Sequence, residues 1–216
     1  MKTLLAITAL VSFQFAVGQK TIELKDFKGL SVGADTKVTL VKSSQNKLVV
    51  SGKEEDNLEV QNDGGSLALN NGEDLEITLY YKGVLTSISA ASDAQVYGKD
   101  EMKTSTFSLA AASDAKVELK LNVEKLNTDA ASDARVTLTG KATDHNATMA
   151  SDADLDGQNL LTENTNIVLS SDAKATITAK GTVNATVSSD GSLTIYGKPK
   201  KVNEVKSGDG KIAVMD

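Results

Sequence analysis

Ala112-Ser113-Asp114-Ala115-Lys116-Val117-Glu118-Leu119 is answered nineteen residues later by Ala131-Ser132-Asp133-Ala134-Arg135-Val136-Thr137-Leu138. Outward from this pair the aspartate recurs as Asp93, Asp114, Asp133, Asp152, Asp172, Asp190 and Asp209, at steps of 21, 19, 19, 20, 18 and 19 residues. Small residues precede each one: Ser92, Ser113, Ser132, Ser151, Ser171, Ser189 and, before Asp209, Gly208. A period near 19 is too short for a helical hairpin. It fits one coil of a β-solenoid, whose units bury their apolar faces only by stacking on one another.

Alignment on the aspartates exposes a period-two pattern. Three residues after Asp stand Val96, Val117, Val136, Leu155, Ala175, Leu193 and Ile212; five after stand Gly98, Leu119, Leu138, Gly157, Ile177, Ile195 and Val214. Three before stand Ala90, Ala111, Ala130, Met149, Leu169 and Val187. These columns are expected to face inward. By the same parity the residues just before and just after Asp face inward and Asp faces outward. The alanines Ala94, Ala115, Ala134, Ala153 and Ala173 are therefore expected to be crowded at the bend.

Upstream, Gly33-Ala34-Asp35-Thr36 follows the same template, with Asp35 lying 58 residues before Asp93, close to three periods. Between them the pattern reads as strands over Lys47 to Ser51, Leu58 to Gln61, Ser66 to Leu69 and Leu75 to Tyr81, with a turn at Asn62-Asp63-Gly64-Gly65. Residues 19–85 are expected to form a β-rich N-terminal part that caps the stack, because an open solenoid end exposes a sheet edge. Residues 86–216 are expected to supply about seven coils of the same domain, a rod of roughly 34 Å at about 4.8 Å per coil.

The first residues carry Lys2, an apolar run from Leu4 to Val17, and small residues at Ala16 and Gly18, the pattern of a secretory signal spanning 1–18. That run is shorter than the roughly 20 residues a membrane span needs, and no later stretch qualifies. Without the signal, 22 basic and 29 acidic side chains leave a net charge of −7, which argues against a nucleic-acid partner. With no cysteine in the chain, no disulfide framework supports it in an oxidising compartment.

Phe27-Lys28-Gly29-Leu30-Ser31, Val38-Thr39-Leu40, Gly64-Gly65-Ser66-Leu67-Ala68-Leu69, the aspartate-marked coils, Tyr196-Gly197-Lys198-Pro199 and Ser207-Gly208-Asp209-Gly210-Lys211-Ile212 follow one another in an order that resembles the family described as putative auto-transporter adhesin, head GIN domain. The resemblance implies an all-β fold, a right-handed parallel β-helix, and an adhesion-like role in proteins exported by Bacteroidota. It supplies no catalytic residue. The family's Gly-Ser-Gly bend is Ser-Asp-Ala in most coils of this chain.

Stacked coils would bring Asp93, Asp114, Asp133, Asp152, Asp172, Asp190 and Asp209 into a ladder. One reading is a row of weak Ca²⁺ sites. The other is structural, each carboxylate bonding its own bend backbone. A neighbouring column of Lys37, Gln95, Lys116, Arg135, Asp154, Lys174, Ser192 and Lys211, mostly basic, can neutralise the acids without metal, which favours the structural reading. An enzyme would need something like Asp114, Asp133 and Asp152 with Arg135, the arrangement of calcium-dependent polysaccharide lyases. His145, between Asp144 and Asn146, reads as a solvated loop histidine. Tyr80, Tyr81, Tyr97 and Tyr196 are the aromatics that could stack on a sugar. The expectation is a non-catalytic protein without cofactor that recognises a surface glycan or protein, or serves as an envelope scaffold. The alternative is a calcium-dependent polysaccharide binder or polysaccharide-active enzyme.

Overall fold

The structure is a computed structural model that describes residues 19–52, 56–72 and 75–215. The signal segment expected over 1–18 lies outside the described residues. Among the described residues all regular structure is strand: β1 Gln19–Glu23, β2 Gly29–Val32, β3 Lys37–Lys42, β4 Lys47–Ser51, β5 Glu59–Asp63, β6 Ser66–Asn70, β7 Glu76–Tyr81, β8 Ser87–Ala90, β9 Gln95–Ala111, β10 Lys116–Ala130, β11 Arg135–Met149, β12 Asp154–Leu169, β13 Lys174–Ala179, β14 Thr182–Val187, β15 Ser192–Tyr196, β16 Lys201–Lys206 and β17 Lys211–Val214. Successive coils pair in parallel, with Val117 beside Val136 and Leu119 beside Leu138. The fold is a parallel β-helix.

Each coil reverses twice. The first reversal is the Ser-Asp bend, and the second appears as a doubled exposed position within the alternating pattern, at 105–106, 124–125, 143–144 and 163–164. Inward residues on either side of both bends face each other across a narrow core. Val96, Val117, Val136, Leu155 and Leu193 are each at most 1% exposed, and Ala94, Ala115, Ala134, Ala153 and Ala173 are at 0%. Burying one Val or Leu in this way stabilises the fold by about 1.5–3 kcal/mol. At the last coil the rule fails, because among the described residues no strand stacks on the outer side of β17: Ile212 is only partly buried and Val214 is 51% exposed.

Departures from a 19-residue step are absorbed between the bends. Gly98 and Glu101 pair with the consecutive residues Leu119 and Lys120, so Lys99 and Asp100 are extra, which accounts for the 21-residue interval. Met102 packs into the space that Gly98 leaves, its Cε 2.8 Å from where a Cβ would stand.

Asp35 does not lie three coils from Asp93. Its N–H donates to the Ser92 carbonyl at 2.9 Å, so β2–β3 is the coil directly adjacent to β8–β9. The 58 residues between hold one coil plus an excursion: β6 and β7 stack in parallel on the far side of β2 and β3. Antiparallel strands then cover that end, β5 on β6 and β4 followed by β1 on β7. The β5–β6 hairpin turns at Gly64 and Gly65, with φ of 57° and 80°, the left-handed pair that a two-residue type I′ turn requires.

Candidate functional site

At the aspartate bends, Ser and Asp are both left-handed, with φ of 53° and 62° at Ser132 and Asp133 and similar values from Ser92–Asp93 through Ser189–Asp190. The Ala134 N–H closes the turn onto the Ala131 carbonyl at 3.3 Å. This is a type I′ turn, and Asp tolerates its left-handed second position better than most residues. Two positive-φ residues break strand parity. Ser92, Ser113, Ser132, Ser151, Ser171 and Ser189 are consequently exposed beside their aspartates instead of facing inward as parity predicted; only the residues after Asp, an alanine in the first five bends and Gly191 in the sixth, are buried.

The bends stack into a continuous ladder held by main chain. Asp93, Asp114, Asp133, Asp152 and Asp172 donate their N–H groups to the carbonyls of Ser113, Ser132, Ser151, Ser171 and Ser189, at 2.9 to 3.1 Å. The carboxylates do not take the part expected of them. Among the described residues they make no side-chain hydrogen bond or ion pair, and Lys37 and Lys116 of the basic column bridge instead to Glu76 at 3.2 Å and Glu118 at 2.8 Å. Among the described residues no bend carboxylate bonds its own backbone and none is in contact with the basic column; from Asp93 to Ser189 the Asp N–H groups and Ser carbonyls are engaged between coils instead. Among the described residues no three His, Cys, Asp or Glu side chains gather as a metal-holding set.

A second ladder lies six residues before the last five aspartates, Asp133 to Asp209. Asn146 donates to Asn127 at 3.2 Å, Asn166 to Asn146 at 2.9 Å, Asn184 to Asn166 at 2.7 Å and Asn203 to Asn184 at 2.7 Å, so five side-chain amides form one hydrogen-bonded file on the outer surface. The signal was present in the sequence: asparagine occupies this column in five consecutive repeats. It escapes a reading that follows only apolar and acidic columns.

The second bends form a groove of about 550 Å³ that crosses four coils. Its floor holds Val123, Ala142 and Thr162, each at most 5% exposed. Lys103, Asn122, Lys141 and Leu161 line one wall in register, and Glu124 and Glu163 stand on the other. Lys103 is held by Glu101 at 2.9 Å, a contact that lowers the Glu101 pKa. Lys141, Glu124 and Glu163 have no ion-pair partner among the described residues.

His145 is in β11 rather than in a solvated loop. It is 1% exposed, in the inward column between Leu126 and Thr165. Nε2 bonds the Thr128 hydroxyl at 3.1 Å, Nδ1 has no partner, and burial pushes the pKa down to about 4. A ring enclosed in this way cannot reach a substrate. Of the tyrosines, Tyr81 is buried and its pKa is raised to about 12, chiefly by burial. Lys47 sits 5.1 Å from the Tyr80 ring centre and Lys116 5.7 Å from that of Tyr97, each occupying a face that a sugar would need.

The family described as putative auto-transporter adhesin, head GIN domain, matches over residues 26–199. No curated protein matches the sequence. Among solved structures, a putative adhesin from Bacteroides fragilis superposes with a TM-score of 0.84 at 19% identity, covering 91% of this chain and 96% of that one. A putative adhesin from Parabacteroides distasonis superposes at 0.76 with 15% identity, covering 91% and 96%. A protein described as a putative lipid binding protein, also from Parabacteroides distasonis, gives 0.73 at 14% identity, covering 92% and 96%. At these identities the likeness is one of fold.

Proposed function

Since this chain belongs to the family described as putative auto-transporter adhesin, head GIN domain, we propose that it is an exported bacterial surface or envelope protein, one domain after its signal, that works by recognition and not by catalysis. The observation that carries this reading is the groove across four second bends. It repeats equivalent positions coil after coil at about 4.8 Å, and lysine on one wall and glutamate on the other each recur at every second coil, so a chain-like ligand lying along the stack meets a charge of each sign about every 9.6 Å. Its walls are chemically distinct, one with Lys103 and Lys141, the other with Glu124 and Glu163. An extended polar ligand, a glycan or a polypeptide segment, suits that lining, and many weak contacts along a repeat bind with multivalent character.

Glycan and protein arrays probed with the native protein, with and without Ca²⁺, test the reading. Binding that survives chelation and is lost in Lys141→Glu and Glu163→Lys variants is the expected result. Binding untouched by both substitutions would move the site elsewhere, and turnover of a bound glycan would remove the non-catalytic reading. A strict requirement for Ca²⁺ would return the aspartate ladder as the binding element.

A further inference from the structure

The two ends of the coil stack are finished differently. At the N-terminal end the outer coil, β6–β7, is covered by the antiparallel strands β5, β4 and β1. At the C-terminal end, among the described residues, β16 pairs only with β14, and β17 only with β15. Their outer edges present unpaired main-chain groups, the template on which a second sheet edge adds.

Register shows what that end exposes. The inward columns of β14 are Val183, Ala185 and Val187, and their partners in β16 are Val202, Glu204 and Lys206. In the preceding coils the columns ending at Glu204 and Lys206 hold Leu109, Thr128, Ala147, Ile167 and Ala185, and Ala111, Ala130, Met149, Leu169 and Val187. No charge occupies either column until the last coil. There the two side chains pair with each other, Lys206 Nζ to Glu204 Oε2 at 3.1 Å, across the mouth of the core. The other half of the same end keeps the apolar pattern, with Ile212 and Val214 in the columns of Leu193 and Ile195.

We propose that the Glu204–Lys206 pair is a stop: by occupying two core columns at the uncovered end, it prevents a second copy of this chain from joining there edge to edge and continuing the stack. A second copy is the occupant excluded because its own end carries the same unpaired strands and the same apolar residues in β17, so two ends matched face to face would each supply what the other lacks. With the pair in place, such a contact would strip water from two charges on each chain, a desolvation that the attraction within an ion pair does not readily repay.

The test is the oligomeric state by light scattering over a range of concentrations. The native protein is expected to be monomeric. The double variant Glu204→Ala, Lys206→Val, which copies the residues of the coil beneath, is expected to associate at concentrations where the native protein does not. Adding Val214→Lys to the double variant should restore the monomer by placing a charge on the β17 half of the end, which separates end-to-end pairing from aggregation of a misfolded chain. A native protein that already joins through this end, a double variant that stays monomeric, or association that Val214→Lys does not reverse would each overturn the proposal.

Discussion

Ala134 follows a type I′ turn with its side chain fully enclosed, and the same holds for Ala94, Ala115, Ala153 and Ala173. Where glycine stands in this column, at Gly210, a Cβ would lie 2.6 Å from the Val187 carbonyl oxygen, so the space tightens further along the stack. Ala134→Leu is expected to cost about 1–3 kcal/mol through overpacking, read as a lowered midpoint in urea. The bend aspartates behave differently. Their carboxylates stack without a partner among the described residues, so changing Asp114, Asp133 and Asp152 together to Asn keeps a residue that accepts left-handed φ while removing like charge. The triple variant is expected to melt higher than the native protein at low ionic strength, with the gap closing as salt screens the repulsion. His145 adds a pH dependence of definite sign. Its pKa is near 4 when folded and 6.5 ordinarily, so as pH falls below 6.5 the unfolded chain takes up the proton first. Stability is then lost between about pH 6.5 and 4, on the order of 3 kcal/mol in all. His145→Leu should flatten that part of the stability–pH curve relative to the native protein.

Among the elements, the unequal repeat lengths show that bends and strands obey different constraints. Bends remain in register because each Asp N–H must meet the Ser carbonyl of the next coil, whereas an extra residue on a strand can bulge outward at the cost of local pairing. The interval of 20 residues between Asp152 and Asp172 is absorbed in this way between Asp156 and Leu160, opposite the shorter Thr137 to Gly140 segment. The asparagine file joins consecutive coils on their outer face, and Asn166 is its midpoint, donating to Asn146 and accepting from Asn184. Asn166→Ala removes two hydrogen bonds on an exposed face and is expected to destabilise by about 1–2 kcal/mol. Equilibrium unfolding of the variant measures it; no change would mean that water replaces the file without loss.

For the whole molecule, stability in a stack is largely a sum of contacts between neighbouring coils, so it should be uneven along the axis. Coils with a neighbour on both sides, β10 and β11, are expected to show the slowest amide hydrogen exchange, and β16 and β17 the fastest. Uniform protection through β17 would mean that something covers the C-terminal end in solution.

The sequence by itself determined the coil and its inward columns, since a 19-residue period and strand alternation are local patterns that one coil shares with the next. Those patterns named Val117, Val136 and Leu155 as core, and all are buried. Local reading failed where contacts are made by residues distant in the chain. Only the tertiary structure decided that Asp35 lies beside Ser92, because an excursion returns the chain to an open edge and its length carries no record of which edge it fills. It also decided that His145 is interior: polarity suggested a loop, but strand register carried the ring into a core column. The unpaired carboxylates have the same origin, since the partners that the folded chain places beside Lys37 and Lys116 are Glu76 and Glu118 rather than the bend aspartates.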